Sequence, residues 1–148
     1  MSEHGTKEIL VTGVRIVAEG TDRPEEIVVG DCVSIRLRGH SRITADDITV
    51  GIRICDNLGL EIYGVNTRLL DVDVALHAGQ DFGVTFSFDM HLAPGFYHLT
   101  AAIHAGTDHL HKCYHWIDDV IDFECQHRGA LTFSGVTNLR ATSSLDSN

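Results

Sequence analysis

Arg53, His98, Thr100, His104, Tyr114 and His115 would share one outward sheet face if the strands that carry them neighbour one another in an immunoglobulin-like order. Side chains of these types suit a carbohydrate ligand. Planar donors and acceptors hydrogen-bond sugar hydroxyls, while an aromatic ring packs on the C–H face of a pyranose. The same residues also fit a solvated sheet face that holds no ligand. The ten histidines of the chain offer a second chemistry, because His109, His111 and His115 have common parity in an extended segment and could turn imidazoles toward a metal ion. A turn could separate them, however, and no carboxylate in a helical His-Glu-x-x-His spacing accompanies them. No metal site and no cofactor is therefore expected.

Motifs of catalysis are missing from the chain. It has no Gly-x-Ser-x-Gly elbow to present a nucleophilic serine and no Gly-x-x-x-x-Gly-Lys-[Ser/Thr] loop to cradle phosphates. Asp46-Asp47 and Asp118-Asp119 fall in apparent turns or breaks, where aspartate serves hydrogen bonding and solubility rather than acid–base work. Cys32, Cys55, Cys113 and Cys125 are widely spaced with no Cys-x-x-Cys pair, which predicts reduced cysteines packed in or on strands. A disulfide of the extracellular immunoglobulin kind would want a tryptophan on a central strand between its half-cystines, and Trp116 comes far after Cys55.

The elements that must position these side chains are strands. Gly, Asp, Asn and Pro punctuate the chain at short intervals, and the alternation between them predicts about eight strands with no sustained helical period. The first four are EILVTGVRIV, CVSIRLRG, ITVGIRICD and, after the Asp56-Asn57-Leu58-Gly59 hairpin turn, LEIYGVNT. In DFGVTFSFDMHL, Phe82, Val84, Phe86, Phe88 and Met90 share a face opposite Gly83, Thr85, Ser87, Asp89 and His91. The Pro94-Gly95 turn then leads into FYHLTAAIHA, with Tyr97, Leu99, Ala101 and Ile103 on one face and Tyr97 placed as a sandwich corner tyrosine. HKCYHWIDDVIDFEC resumes alternation after the Asp118-Asp119 break, and GALTFSGVTNLRA is expected to supply the last strand. The fold class is all-β, an immunoglobulin-like antiparallel β-sandwich over residues 8–138, between a flexible segment at 1–7 and a flexible tail at 139–148.

With 148 residues, one domain accounts for the chain and can bury roughly two thirds of its unfolded surface. Lys and Arg number 11 against 21 Asp and Glu, a net charge of −10 that argues against nucleic acid or an anionic membrane as the main partner. No run of eighteen apolar residues occurs and the start, MSEHGTKE, is polar, which predicts a cytoplasmic chain without signal peptide or membrane insertion.

Taken in order, the Asp56 to Gly59 hairpin, Ile-Tyr-Gly-Val-Asn-Thr at 62–67, Phe86, Leu-x-Pro-Gly-x-Tyr at 92–97 and the stretch from Trp116 to Phe123 resemble a known family. It is the C-terminal carbohydrate-binding domain of the ATP-binding subunit of bacterial O-antigen ABC transporters, the Wzt type, and the resemblance spans nearly the whole chain. It implies a non-catalytic β-sandwich that recognises the non-reducing end of an O-polysaccharide and couples chain completion to export. It also implies a homodimer by exchange of C-terminal strands, an ATPase domain in the same natural chain, a membrane subunit as partner, and a place at the cytoplasmic side of the inner membrane. Tyr63, Asn66 and Thr67 match the motif, as sugar contacts or as a turn and core element. Two other classes remain open on the residues alone: a structural or assembly sandwich without a glycan, and a metal-dependent or hydrolytic enzyme.

Overall fold

The computed structural model describes residues 2–107 and 112–146. Its strands are β1 (Glu3–His4), β2 (Ile9–Ala18), β3 (Ile27–Val28), β4 (Cys32–Ser41), β5 (Ile48–Asp56), β6 (Glu61–Asn66), β7 (Asp81–Asp89), β8 (Gly95–Ala105) and β9 (Lys112–Gln126). They form two sheets: β1-β9-β8-β5-β6, with β3 also on β9, and β2-β4-β7. Every pairing is antiparallel except the two-residue contact of β3 with β9. This is the all-β, immunoglobulin-like sandwich that the period-two pattern predicts.

The core is what the inward parity of the strands brings together. Val50, Ile52 and Ile54 of β5 and Leu99, Ala101 and Ile103 of β8 meet Val33, Ile35 and Leu37 of β4, all buried. On β7 the alternation holds, but only Phe86 is fully enclosed while Phe82, Val84 and Phe88 are half-buried. The cause is position: β7 pairs with β4 on one side and has no strand on the other among the described residues. Tyr97 is a corner tyrosine, as its place after Pro94-Gly95 predicts. Its hydroxyl donates to the Ala93 carbonyl at 2.5 Å and its ring stacks on Phe123 with centroids 5.5 Å apart. Burial pushes the phenol pKa up and keeps the donor proton in place.

Strand β9 slips twice against β8. Its partners jump from Ile121 opposite Leu99 to Ile117 opposite Ala101, and from His115 opposite Ile103 to Cys113 opposite His104. The first slip gathers Asp118 and Asp119 into a bulge where Asp119 takes φ 51°, a conformation that aspartate tolerates. The second corrects the expected outward placement of Tyr114 and His115, since the extra residue lets both turn inward. Tyr114 joins Ile9, Val11 and Leu37 in the core. His115 accepts the Val11 N–H at Nδ1 (2.9 Å), so its proton sits on Nε2, 2.6 Å from Glu3 Oε1. One imidazole thereby ties β1, β2 and β9 together.

The last expected strand is also corrected. GALTFSGVTNLRA forms no strand; Thr137 makes an isolated bridge to Leu92, Ala93 N–H donates to Val136 O, and Asn138 N–H donates to His91 O. Its neighbour within the chain is the 91–93 turn, too short to support a ladder, and Leu131, Val136 and Leu139 stay exposed.

Phe86→Ala is expected to cost about 3 to 5 kcal/mol in chemical denaturation, the range for emptying an enclosed aromatic site. His115→Ala removes the acceptor of a buried N–H and is expected to cost about 1 to 3 kcal/mol, with faster amide exchange at Val11.

Candidate functional site

The strand register sets small residues side by side on the outer face of the larger sheet. One row runs His4, Trp116, Ala102, Gly51 and Asn66 across β1, β9, β8, β5 and β6; the next holds Thr100, Arg53 and Gly64 on β8, β5 and β6. Between the bulkier ends of these rows, Gly51, Ala102 and Gly64 leave a trough. The groove has a volume of about 660 Å³, and Arg53, Glu61, Asn66, Thr100, His104 and Trp116 line it. A side chain at 51 would crowd β6, because a Cβ there would lie 3.1 Å from the Asn66 Cβ and 3.3 Å from the Val65 carbonyl oxygen.

Asp118, displaced by the β9 bulge, organises one wall. Its Oδ1 accepts from Trp116 Nε1 (2.9 Å) and Thr100 Oγ1 (3.1 Å) and lies 3.7 Å from Arg53 Nη2, while Oδ2 accepts from the Ser2 hydroxyl. Burial pushes its pKa up, but the hydrogen bonds from Ser2, Trp116 and Thr100 and the charge of Arg53 outweigh that and hold the carboxyl below its ordinary value. The Arg53 guanidinium sits over the Trp116 ring, 5.1 Å from its centroid, and His4 stacks on the same indole at 5.9 Å. The Arg53 Nε–H is buried with no hydrogen-bond partner among the described residues.

Of the six residues expected on this face, the fold gathers Arg53, Thr100 and His104 into the groove. His98 shares their face but lies beyond it, held at Nδ1 by Asp122 (2.7 Å) and at Nε2 by Asn57 (3.0 Å). Tyr114 and His115 are in the core. His109 and His111 lie outside the described residues, and His115, the third histidine of that cluster, is already committed to Val11 and Glu3. His98, Asp119 and Asp122 place potential ligand atoms within 4.8 Å of one another, though both aspartates are exposed. In the Tyr-Gly-Val-Asn-Thr motif, Tyr63 packs near Phe88, Asn66 Oδ1 accepts the Leu69 N–H and Thr67 Oγ1 accepts the Val50 N–H, while Tyr63 and Asn66 also line the groove.

Trp116 and Glu61 are lining residues that the sequence reading misses. Trp116 was legible in principle as the large residue next to a His that could not share its face; Glu61 needed the register of the β5–β6 hairpin. All four cysteines are free thiols, and burial favours the protonated form of Cys55, Cys113 and Cys125, the last pushed up to about 11. Among the described residues no helix is long and apolar enough to cross a membrane.

The family model for the Wzt C-terminal domain matches residues 1–139. The crystal structure of the C-terminal domain of wzt superposes with a TM-score of 0.84 at 20% identity, over 97% of this chain and 87% of that one. A beta-glucuronidase from glycoside hydrolase family 2 reaches a TM-score of 0.49 at 19% identity over 72% of this chain and 10% of its own. For a beta-glucosidase from Listeria innocua in complex with gluconolactone the values are 0.44, 14%, 80% and 16%. Neither enzyme likeness bears on catalysis. No curated protein matches the chain. With the sandwich, the corner tyrosine and a family match over nearly its whole length, the chain belongs to the Wzt C-terminal domain family.

Proposed function

We propose that the chain is a non-catalytic carbohydrate-binding module of an O-antigen ABC transporter, which recognises the non-reducing end of the O-polysaccharide in the groove over Gly51 and Ala102 and couples it to export. Membership of the Wzt C-terminal domain family supports the transporter assignment. The observation that carries the site is the groove itself, an open trough over Gly51 and Ala102 lined by Arg53, Glu61, Asn66, Thr100 and Trp116. Sugar hydroxyls suit this lining, because Arg53 and Asn66 offer N–H donors and Glu61 an acceptor. His98, beyond the groove on the same strand, serves as an outlying contact for a longer glycan.

The same reading makes the protein a homodimer. Among the described residues β7 has a free edge, and the apolar, β-prone segment 130–136, which follows Gly129, forms no strand, so exchange of this segment between two copies would complete both. An ATPase domain and a membrane subunit are the further partners, which sets the module at the cytoplasmic side of the inner membrane.

Titration with the producing strain's polysaccharide is expected to give micromolar or weaker affinity, since each net hydrogen bond contributes about 0.5 to 1.5 kcal/mol. Arg53→Ala should weaken it at least about tenfold, the effect of losing about 1.4 kcal/mol, with little change in thermal midpoint. Thr85→Ala, on the opposite sheet, should bind like the parent; the reverse pattern means the glycan uses that other face. Deleting residues 129–148 should convert a dimer to monomer or aggregate in sedimentation, and a monomeric intact chain at high micromolar concentration removes the strand-exchange reading.

A further inference from the structure

We infer that the groove selects an uncharged sugar and disfavours acidic ones; this rests on the glycan-binding reading above and adds the charge class of the ligand. An anion-binding wall would present a guanidinium or ammonium group whose charge is left for the ligand. Here the cations are matched. Arg53 Nη2 lies 3.7 Å from Asp118 Oδ1, and Arg68, beyond the His104 end of the groove, is paired with Asp47.

A second carboxylate stands across from Asp118. Gly64 is the strand partner of Arg53, and a Cβ on it would lie 2.7 Å from Glu61 Oε1, so the Glu61 carboxylate overlies Gly64 and lines the β6 side of the groove. The Arg53 guanidinium thus turns toward Asp118 on β9, while Glu61 adds a carboxylate at the β6 side of the groove. A uronate or phosphate in the groove would find the Arg53 charge already matched and meet repulsion from Glu61, and from a chain of net charge −10 at longer range.

What the wall still offers is directional and neutral in demand. The Arg53 guanidinium and the Asn66 amide offer N–H donors, and Glu61 is an acceptor that suits a hydroxyl donor. A pyranose with free vicinal hydroxyls supplies both roles at once, whereas a carboxylate or phosphate supplies acceptors only. The contact with Trp116 and the pairing with Asp118 hold the guanidinium in place before the sugar arrives.

The test is an array of uncharged glycans (mannose-, galactose- and rhamnose-terminated) beside acidic ones (glucuronate- and mannose-6-phosphate-terminated), probed with the intact chain. The parent should bind at least one uncharged glycan more tightly than every acidic one, and its affinity should change less than about threefold between low and physiological salt. Glu61→Gln, with its thermal midpoint checked, should raise the acidic signals roughly tenfold, and no rise in them overturns the inference. Preference of the parent for an acidic or an amino-sugar terminus overturns this inference and leaves glycan binding standing. Binding of no glycan of either kind overturns both.

Discussion

Two slips of β9 along β8 decide what each face of this sandwich carries. Without them, a fifteen-residue strand would hold one parity from end to end, and Tyr114 and His115 could not both be inward. The bulge at Cys113 to His115 closes the core by adding an aromatic ring and an imidazole that satisfies a buried backbone N–H. The bulge at Asp118-Asp119 builds the opposite face, because it swings a carboxylate back toward Thr100 and Trp116. Core and groove are therefore two products of the same irregular strand.

The groove is made as much by what is small as by what is reactive. Gly51, Ala102 and Gly64 occupy the middle of two outward rows, where β-branched or aromatic residues would ordinarily pack against cross-strand neighbours. Their inward counterparts Val50, Ile52 and Ala101 bury fully, so the strands stay anchored from beneath while the outer surface is left open. The packed core and the groove thus lie on opposite sides of the same three strands, β5, β6 and β8.

Regular alternation was the part of the fold legible in the sequence. ITVGIRICD and FYHLTAAIHA each sort cleanly by parity, and Pro94-Gly95 before Tyr97 announces a corner that the hydroxyl bond to Ala93 realises. From that parity Arg53, Thr100 and His104 were placed on the groove face. What was not legible depended on register. Adjacent residues such as Tyr114 and His115 cannot be assigned a common face without knowing where a strand slips, and the Asp118-Asp119 break signalled an irregularity but not its direction. Trp116 and Glu61 enter the site only once β9 and the β5–β6 hairpin are aligned with β8. GALTFSGVTNLRA has the composition of a strand, but composition does not supply a partner, and within one chain that segment finds only a short turn.

The short pairing of β1 with β9 has a mechanical consequence. Asp118 donates its backbone N–H to the Ser2 carbonyl and accepts the Ser2 hydroxyl, next to the stack of His4 on Trp116 and the contact of Glu3 with His115. A pull on the chain where it enters at Ser2 is borne first by this clasp, and the next links in the load path are Asp118, Arg53 and Trp116 at the rim of the groove. Tension at the entry to the domain and the shape of the groove's wall are joined through a single carboxylate.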